Sequence, residues 1–133
     1  MARKQTPHLR TWEAIADYLC ATFPGCELGT GVGAGVVRVG GKPLAYLAAN
    51  ERSRPAGYPA NEEFVIVRID FTRREQLLES DPESFFVTPH YQGYPGVIVR
   101  ISTVDQKQLR PLLENSWRLV APKRLARERD NTK

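Results

Sequence analysis

The sequence predicts an α+β domain: an antiparallel sheet of about five or six strands with the N-terminal and C-terminal helices packed on one face. Three observations lead there. Apolar residues recur at helical spacing near both ends, as Leu9, Trp12, Ile15, Ala16, Leu19 and Phe23, and again as Leu109, Leu112, Leu113, Trp117 and Val120. Short β-prone runs fill the middle, the strongest being Phe64 to Ile69 (F-V-I-V-R-I). Gly40-Gly41 divides two of these runs as a hairpin turn would, because a tight two-residue turn needs positive φ. A length of 133 residues suits one domain, 1–133, with its own core and with flexible ends at about 1–7 and 130–133.

In chain order, the periodicity predicts a first helix from about Leu9 to Thr22, opened by Pro7 or Thr11 and stopped by Pro24-Gly25, with Glu13 and Asp17 on its polar side. Gly25 to Gly41 holds seven glycines. A dinucleotide fingerprint starting at Gly31-Val32-Gly33 would need glycine where Val36 stands, and Gly41-Lys42 is followed by Pro43, so no P-loop is present. The segment reads instead as a strand from Leu28 to Ala34 leading into Gly35 to Val39, the Gly40-Gly41 turn, and a return strand from Pro43 to Ala49. Asn50 to Glu63 is a long polar loop, and Phe64 to Ile69 a strand. Thr72 to Ser80 is a short helix with Leu77 and Leu78 as its apolar contact, ended by Asp81-Pro82. Phe85-Phe86-Val87 and Val97 to Ile101 are two strands around a rigid loop, Thr88 to Gly96, that carries a histidine and two tyrosines. Thr103 or Asp105 caps a long helix in which Pro111 predicts a kink or a later start. Pro122 opens a last helix through about Arg129, and Asp130 to Lys133 should fray.

Composition bounds the function. Hydrophobic content of 41% and charged content of 26% are ordinary for a globular chain. No run reaches the roughly 20 apolar residues of a membrane helix, and the basic N-terminus lacks the apolar stretch of a secretory signal. A cytoplasmic location without membrane association is therefore expected. Cys20 and Cys26 lack the second pair that a structural zinc site would need. They read as free, reduced thiols with at least one buried. The net charge of +4 is placed unevenly. Arg118 to Lys133 holds six basic residues against Glu128 and Asp130, and the rest of the chain has thirteen of each sign. The chain is a neutral domain with a basic end.

Several segments, taken in order, resemble the MmcQ/YjbR family, small proteins with a frataxin-like (CyaY-like) α+β fold commonly described as DNA-binding. They are Phe23-Pro24-Gly25; Val39-Gly40-Gly41-Lys42 with Leu44-Ala45; Leu77-Leu78 through Asp81-Pro82-Glu83-Ser84-Phe85-Phe86; Thr88-Pro89-His90-Tyr91; and Ser116-Trp117-Arg118-Leu119-Val120-Ala121-Pro122-Lys123. The resemblance runs from about residue 12 to 125. It departs at Gly96-Val97, where many relatives carry a tryptophan. It implies a CyaY-like sheet and DNA binding; a monomeric, non-enzymatic domain that works without a cofactor is expected beside it.

The residues assign that role as follows. Arg118, Lys123, Arg124 and Arg127, with Arg129 nearby, would neutralise phosphates, Lys123 and Arg127 sharing one helical face. Lys42 and Arg100 are further cations, as are Arg38 and Arg68, on or beside predicted strands. His90, Tyr91 and Tyr94 would offer a stacking surface. The alternative is a small-molecule or protein-interaction module using a pocket over the sheet, lined by Tyr91, Tyr94, Arg100 and Trp117. Catalysis is not indicated: His90 has no partner in the sequence, and Ser116 lacks the context of a nucleophile. Metal binding, which the frataxin-like fold raises, would need a carboxylate cluster, and the first helix offers only Glu13 and Asp17.

Overall fold

The computed structural model describes residues 8–30 and 35–131. The expected lead-in 1–7, the strand reading through Ala34 with its Gly31-Val32-Gly33 segment, and the last two residues lie outside the described residues.

Thr11 starts the first helix by accepting the Ala14 N–H on its hydroxyl, and α1 runs from Trp12 to Thr22. Leu9 is buried ahead of the helix, where its N–H donates to the Gln106 side chain. The helix therefore begins three residues later than the periodicity indicates, because the cap decides the boundary and the apolar pattern does not. The Phe23 N–H closes the last turn on Leu19, and Gly25 reverses the chain at φ 77°.

Three strands follow: β1 (Cys26–Leu28), β2 (Val36–Val39) and β3 (Lys42–Leu47). Gly40 and Gly41 have φ of 59° and 79°, the left-handed pair that a two-residue hairpin requires. β4 (Phe64–Arg68) leads to α2 (Phe71–Ser80), which Asp70 caps by accepting the Arg73 N–H. β5 (Phe85–Phe86), a single 3-10 turn at Pro89–Tyr91, and β6 (Gly96–Arg100) complete the sheet. All pairings are antiparallel in the order β1-β2-β3-β4-β6-β5. Asp105 caps α3 (Gln106–Val120) through the Lys107 N–H. The expected kink or late start at Pro111 gives way to a helix that begins at Gln106 and continues past the proline. Pro111 and Lys107 are both exposed, so the carbonyl that loses its partner faces solvent. α4 (Lys123–Asn131) extends beyond Arg129 and includes Asp130.

Side chains alternate across the sheet. Val37, Val39, Ala45, Val65, Val67, Val97 and Val99 join the main core with α1 and α3 and with Leu125 of α4. Phe64, Ile66 and Ile98 point the other way and build a second core with Ala48. The helices thus cover one face and loops cover the other.

Trp117 anchors the helical side. It is fully buried, stacks on Phe23 with centroids 5.5 Å apart, and donates Nε1–H to the Pro24 carbonyl at 3.0 Å. Ser116 is also fully buried and donates to the Leu44 carbonyl, a structural bond that leaves it no room to act as a nucleophile. Trp117→Ala is expected to cost about 3–5 kcal/mol. Trp117→Phe keeps the ring and orphans the Pro24 carbonyl, and should cost about 1–3 kcal/mol. Urea denaturation would show both as midpoint shifts with an unchanged slope.

Candidate functional site

The helix-free face is apolar at its centre and carries cations at its margins. Arg68 and Arg100 stand at the ends of β4 and β6 in the same alternation as Phe64, Ile66 and Ile98. Two connections cover this face, residues 48–63 and 87–95. They are stitched together where Thr88 Oγ1 donates to the Arg52 carbonyl at 2.5 Å. Tyr58 packs edge-on against Phe64 and Phe86, with centroids 5.2 and 5.9 Å away. Arg54 lies over the Phe64 ring and donates to the carbonyls of Glu62 and Pro59. Arg100 is spoken for: it donates to the Glu62 carboxylate at 3.0 Å and lies over the Tyr58 ring. The Ser102 hydroxyl bonds the same carboxylate, and with Arg100 it holds the Glu62 carboxyl below its ordinary range.

Arg74 fixes the second loop. It is the one buried side chain of α2, at 4% exposure. Its Nη1 donates to the carbonyls of Tyr91, Tyr94 and Gly96 at 3.2, 2.9 and 3.4 Å, and its Nη2 to that of Gln92 at 3.0 Å. The predicted contacts Leu77 and Leu78 are half-buried and pack against the main core, while the most buried side chain of the helix is the arginine beside them. The loop's carbonyls turn inward and need a fork of donors, which a leucine cannot supply. The sequence did hold the signal, since Arg74 lies three and four residues before Leu77 and Leu78 and shares their helical face.

The clamped loop presents His90, Tyr91 and Tyr94 together. His90 is exposed, its ring 4.9 Å from that of Tyr91. Tyr91 and Tyr94 meet edge-on at 5.6 Å, and Tyr94 meets Tyr46 of β3 at 6.4 Å. Burial, and then hydrogen bonds with the Tyr91 and Tyr94 hydroxyls, push the Tyr46 phenol far above its ordinary value. It is a hydrogen-bonding group here and not a base. Trp117 lies buried on the opposite side of the sheet, among the helices, so it cannot line a pocket with Tyr91, Tyr94 and Arg100. That expected pocket wall fails because residue 117 faces the core that the helices cover.

The basic C-terminal end divides in two. Arg118 pairs with Glu114 at 3.1 Å and with Asp130 at 2.9 Å. Arg129 donates to the Thr22 carbonyl, lies 4.6 Å over the Phe23 ring and reaches Glu114 at 3.5 Å. These two cations dock α4 on the domain. Lys123, Arg124 and Arg127 are exposed, and no ion pair involves them among the described residues. Lys42 joins this group. A Cβ on Gly40 would lie 3.2 Å from the Pro122 ring, so the β2–β3 turn abuts the start of α4, and Lys42 pairs with Val39 beside that turn. The nine residues singled out in the sequence therefore separate. Lys42, Lys123, Arg124 and Arg127 gather at the start of α4, and His90, Tyr91 and Tyr94 gather on the helix-free face. Arg100 lies on that face at the far end of β6, paired with Glu62, and Arg118 is paired with Glu114 and Asp130.

Cys20 is exposed and Cys26 half-buried, so the expectation of a buried thiol does not hold. Cys26 begins β1 at the sheet edge, where a neighbouring strand covers one side only. Desolvation first, and then the neighbouring Cys20, push the Cys26 thiol up to about 12, which keeps it protonated and unreactive near neutrality. Among the described residues, no group of three His, Cys, Asp or Glu is placed to hold a metal ion, and no helix is long and apolar enough to cross a membrane.

Two outcomes test this geometry. Arg74→Leu strands inward-facing carbonyls and should cost about 3 kcal/mol. Hydrogen exchange at the Tyr94 and Gly96 amides, which bond within the loop, should quicken, and unchanged protection would refute the clamp. The second concerns Glu114. Burial raises its carboxyl, but Arg118 and Arg129 outweigh that and hold it below the ordinary range. A lowered folded value gives stability that is present above the unfolded carboxylate range, about pH 4.3, and lost as pH falls through the folded value. Glu114→Gln should therefore destabilise the protein at pH 7, and the difference from the parent should vanish in acid, as read from denaturation curves across that range.

Comparison with known proteins adds a family. A sequence model of the family described as YjbR matches residues 21–119. Uncharacterized protein Mb2600 of Mycobacterium bovis and uncharacterized protein Rv2570 of Mycobacterium tuberculosis are each 35% identical over 95 residues. That alignment covers 66% of this chain and 74% of each relative. No solved structure matches the chain.

Proposed function

The chain belongs to the YjbR family, and on that premise we propose that it is a non-enzymatic cytoplasmic domain that binds DNA weakly through the start of α4. One observation supports this reading above the others. Lys123, Arg124 and Arg127 remain exposed while their neighbours Arg118 and Arg129 are held inward by Glu114, Asp130 and the Thr22 carbonyl. α4 docks through its own Arg129 and through Asp130, which meets Arg118 of α3, and it turns Lys123, Arg124 and Arg127 to solvent, where Lys42 arrives beside them from the sheet. Such a patch suits phosphates without reading bases. Glu128 lies among these cations and lowers their local charge. With about four contacts, affinity should be modest beside the six to ten of strong binders. His90, Tyr91, Tyr94 and Arg100 lie across the sheet from the patch and do not extend it.

The test is binding of a labelled DNA duplex over a series of salt concentrations. At about 0.9 per phosphate, four contacts give a slope of log affinity against log salt near −3.6. Lys123→Ala/Arg124→Ala/Arg127→Ala should bring it to about −0.9 and weaken all sequences alike. A slope that the triple change leaves alone, or affinity indifferent to salt, would overturn the reading.

A further inference from the structure

We propose that the helix-free face also carries a recognition site for the oxyanion group, phosphate or carboxylate, of a small ligand, with the Arg68 guanidinium as its charged donor and the Tyr46, Tyr91 and Tyr94 hydroxyls beside it. The site is separate from the cationic patch at α4. Partly burying a guanidinium costs free energy unless an acceptor meets it. Elsewhere the molecule obeys that rule: Arg54 and Arg74 reach carbonyls, Arg100 reaches Glu62, and Arg129 reaches Thr22 and Glu114. Arg68 is half-buried and stands over the Tyr94 ring at 5.8 Å; its Nε, like that of Arg74, is buried without a hydrogen-bond partner, but among the described residues no carbonyl or carboxylate meets the rest of its guanidinium either. A planar fork left in this state matches the two oxygens of a carboxylate or phosphate.

The surroundings suit such a guest. Arg68 pairs across the sheet with Gly96. A Cβ at position 96 would lie 2.7 Å from the Tyr94 ring, so glycine there is what lets the ring settle next to Arg68. Three phenols carry three donors. The rings of Tyr46, Tyr94 and Tyr91 meet edge-on at 6.4 and 5.6 Å, which groups these donors where a ligand oxygen can accept from them. His90 stands at the rim against Tyr91. The Arg74 clamp holds Tyr91 and Tyr94 by their carbonyls, so the donors are in place before a ligand arrives. A lone guanidinium among aromatic rings admits one oxyanion group, whereas a duplex presents a row of phosphates.

The experiment is an NMR titration of the full chain with inorganic phosphate and, separately, with acetate, at constant ionic strength. Saturable shifts at the Arg68, Tyr94 and Gly96 amides are expected, weakened about tenfold or more by Arg68→Met, as suits loss of a charge-assisted bond. The Lys123/Arg124/Arg127 triple change should leave them intact. Tighter phosphate supports a phosphate-bearing ligand, and tighter acetate a carboxylate. Tyr94→Phe keeps the ring, should also weaken binding, and decides the matter if Arg68→Met fails to fold. Shifts confined to residues 123–127, shifts that never saturate, or a response unchanged in both single variants would overturn the proposal.

Discussion

The central strands β4 and β6 are apolar on both faces, and the rest of the structure answers that constraint. Val65, Val67, Val97 and Val99 are covered by helices, as the ends of the chain anticipate. Phe64, Ile66 and Ile98 face the side where no helix lies, yet each is almost fully buried. Loops must shield them, and loop backbone brings polar groups that need partners. Arginine supplies these, with Arg54 holding the carbonyls of the first loop and Arg74 those of the second. Aromatic rings fill the space that remains, Tyr58 and Phe86 over Phe64 and the three tyrosines toward β3.

This arrangement changes the meaning of the positive charge. Arginines counted as candidate phosphate ligands turn out to be structural, since Arg100 closes on Glu62 and Tyr58, and Arg118 on Glu114 and Asp130. Charge available to a partner is what remains after internal pairing, a smaller quantity than the formal +4 suggests. At α4 the remainder includes Lys123, Arg124 and Arg127, and on the helix-free face it includes exposed Arg38 and half-buried Arg68, the latter over the Tyr94 ring with no acceptor among the described residues.

Most of the fold could be read from the residues because the patterns that carry it are local. Period-3.6 apolar stripes placed α1 and α3, the Gly40-Gly41 pair placed the β2–β3 hairpin, and the F-V-I-V-R-I run placed β4. Element ends were less readable: Leu9 belongs to the apolar stripe of α1 but precedes its Thr11 cap. Of the candidate site, the sequence pointed to Lys123, Arg124 and Arg127 by charge, and to His90, Tyr91 and Tyr94 by loop composition. It passed over Arg74 and Glu62 and counted Arg68 only among further cations near strands, because an arginine in a helix or strand, or a glutamate in a loop, looks the same whether it is solvated or clamped.

The sequence by itself determined the fold class, the order of the elements and the excess of charge at the C-terminus, all of which follow from spacing along the chain. Only the tertiary structure decided which cations are spent. It bent α4 back so that Arg129 meets Thr22, 107 residues away, and set Arg74 against carbonyls 17 to 22 residues on. Pairing depends on distance in space, and side chains far apart in sequence meet only once the sheet has set the register. The same register put Trp117 and the Tyr91–Tyr94 loop on opposite faces, so that a single site imagined across them became two surfaces.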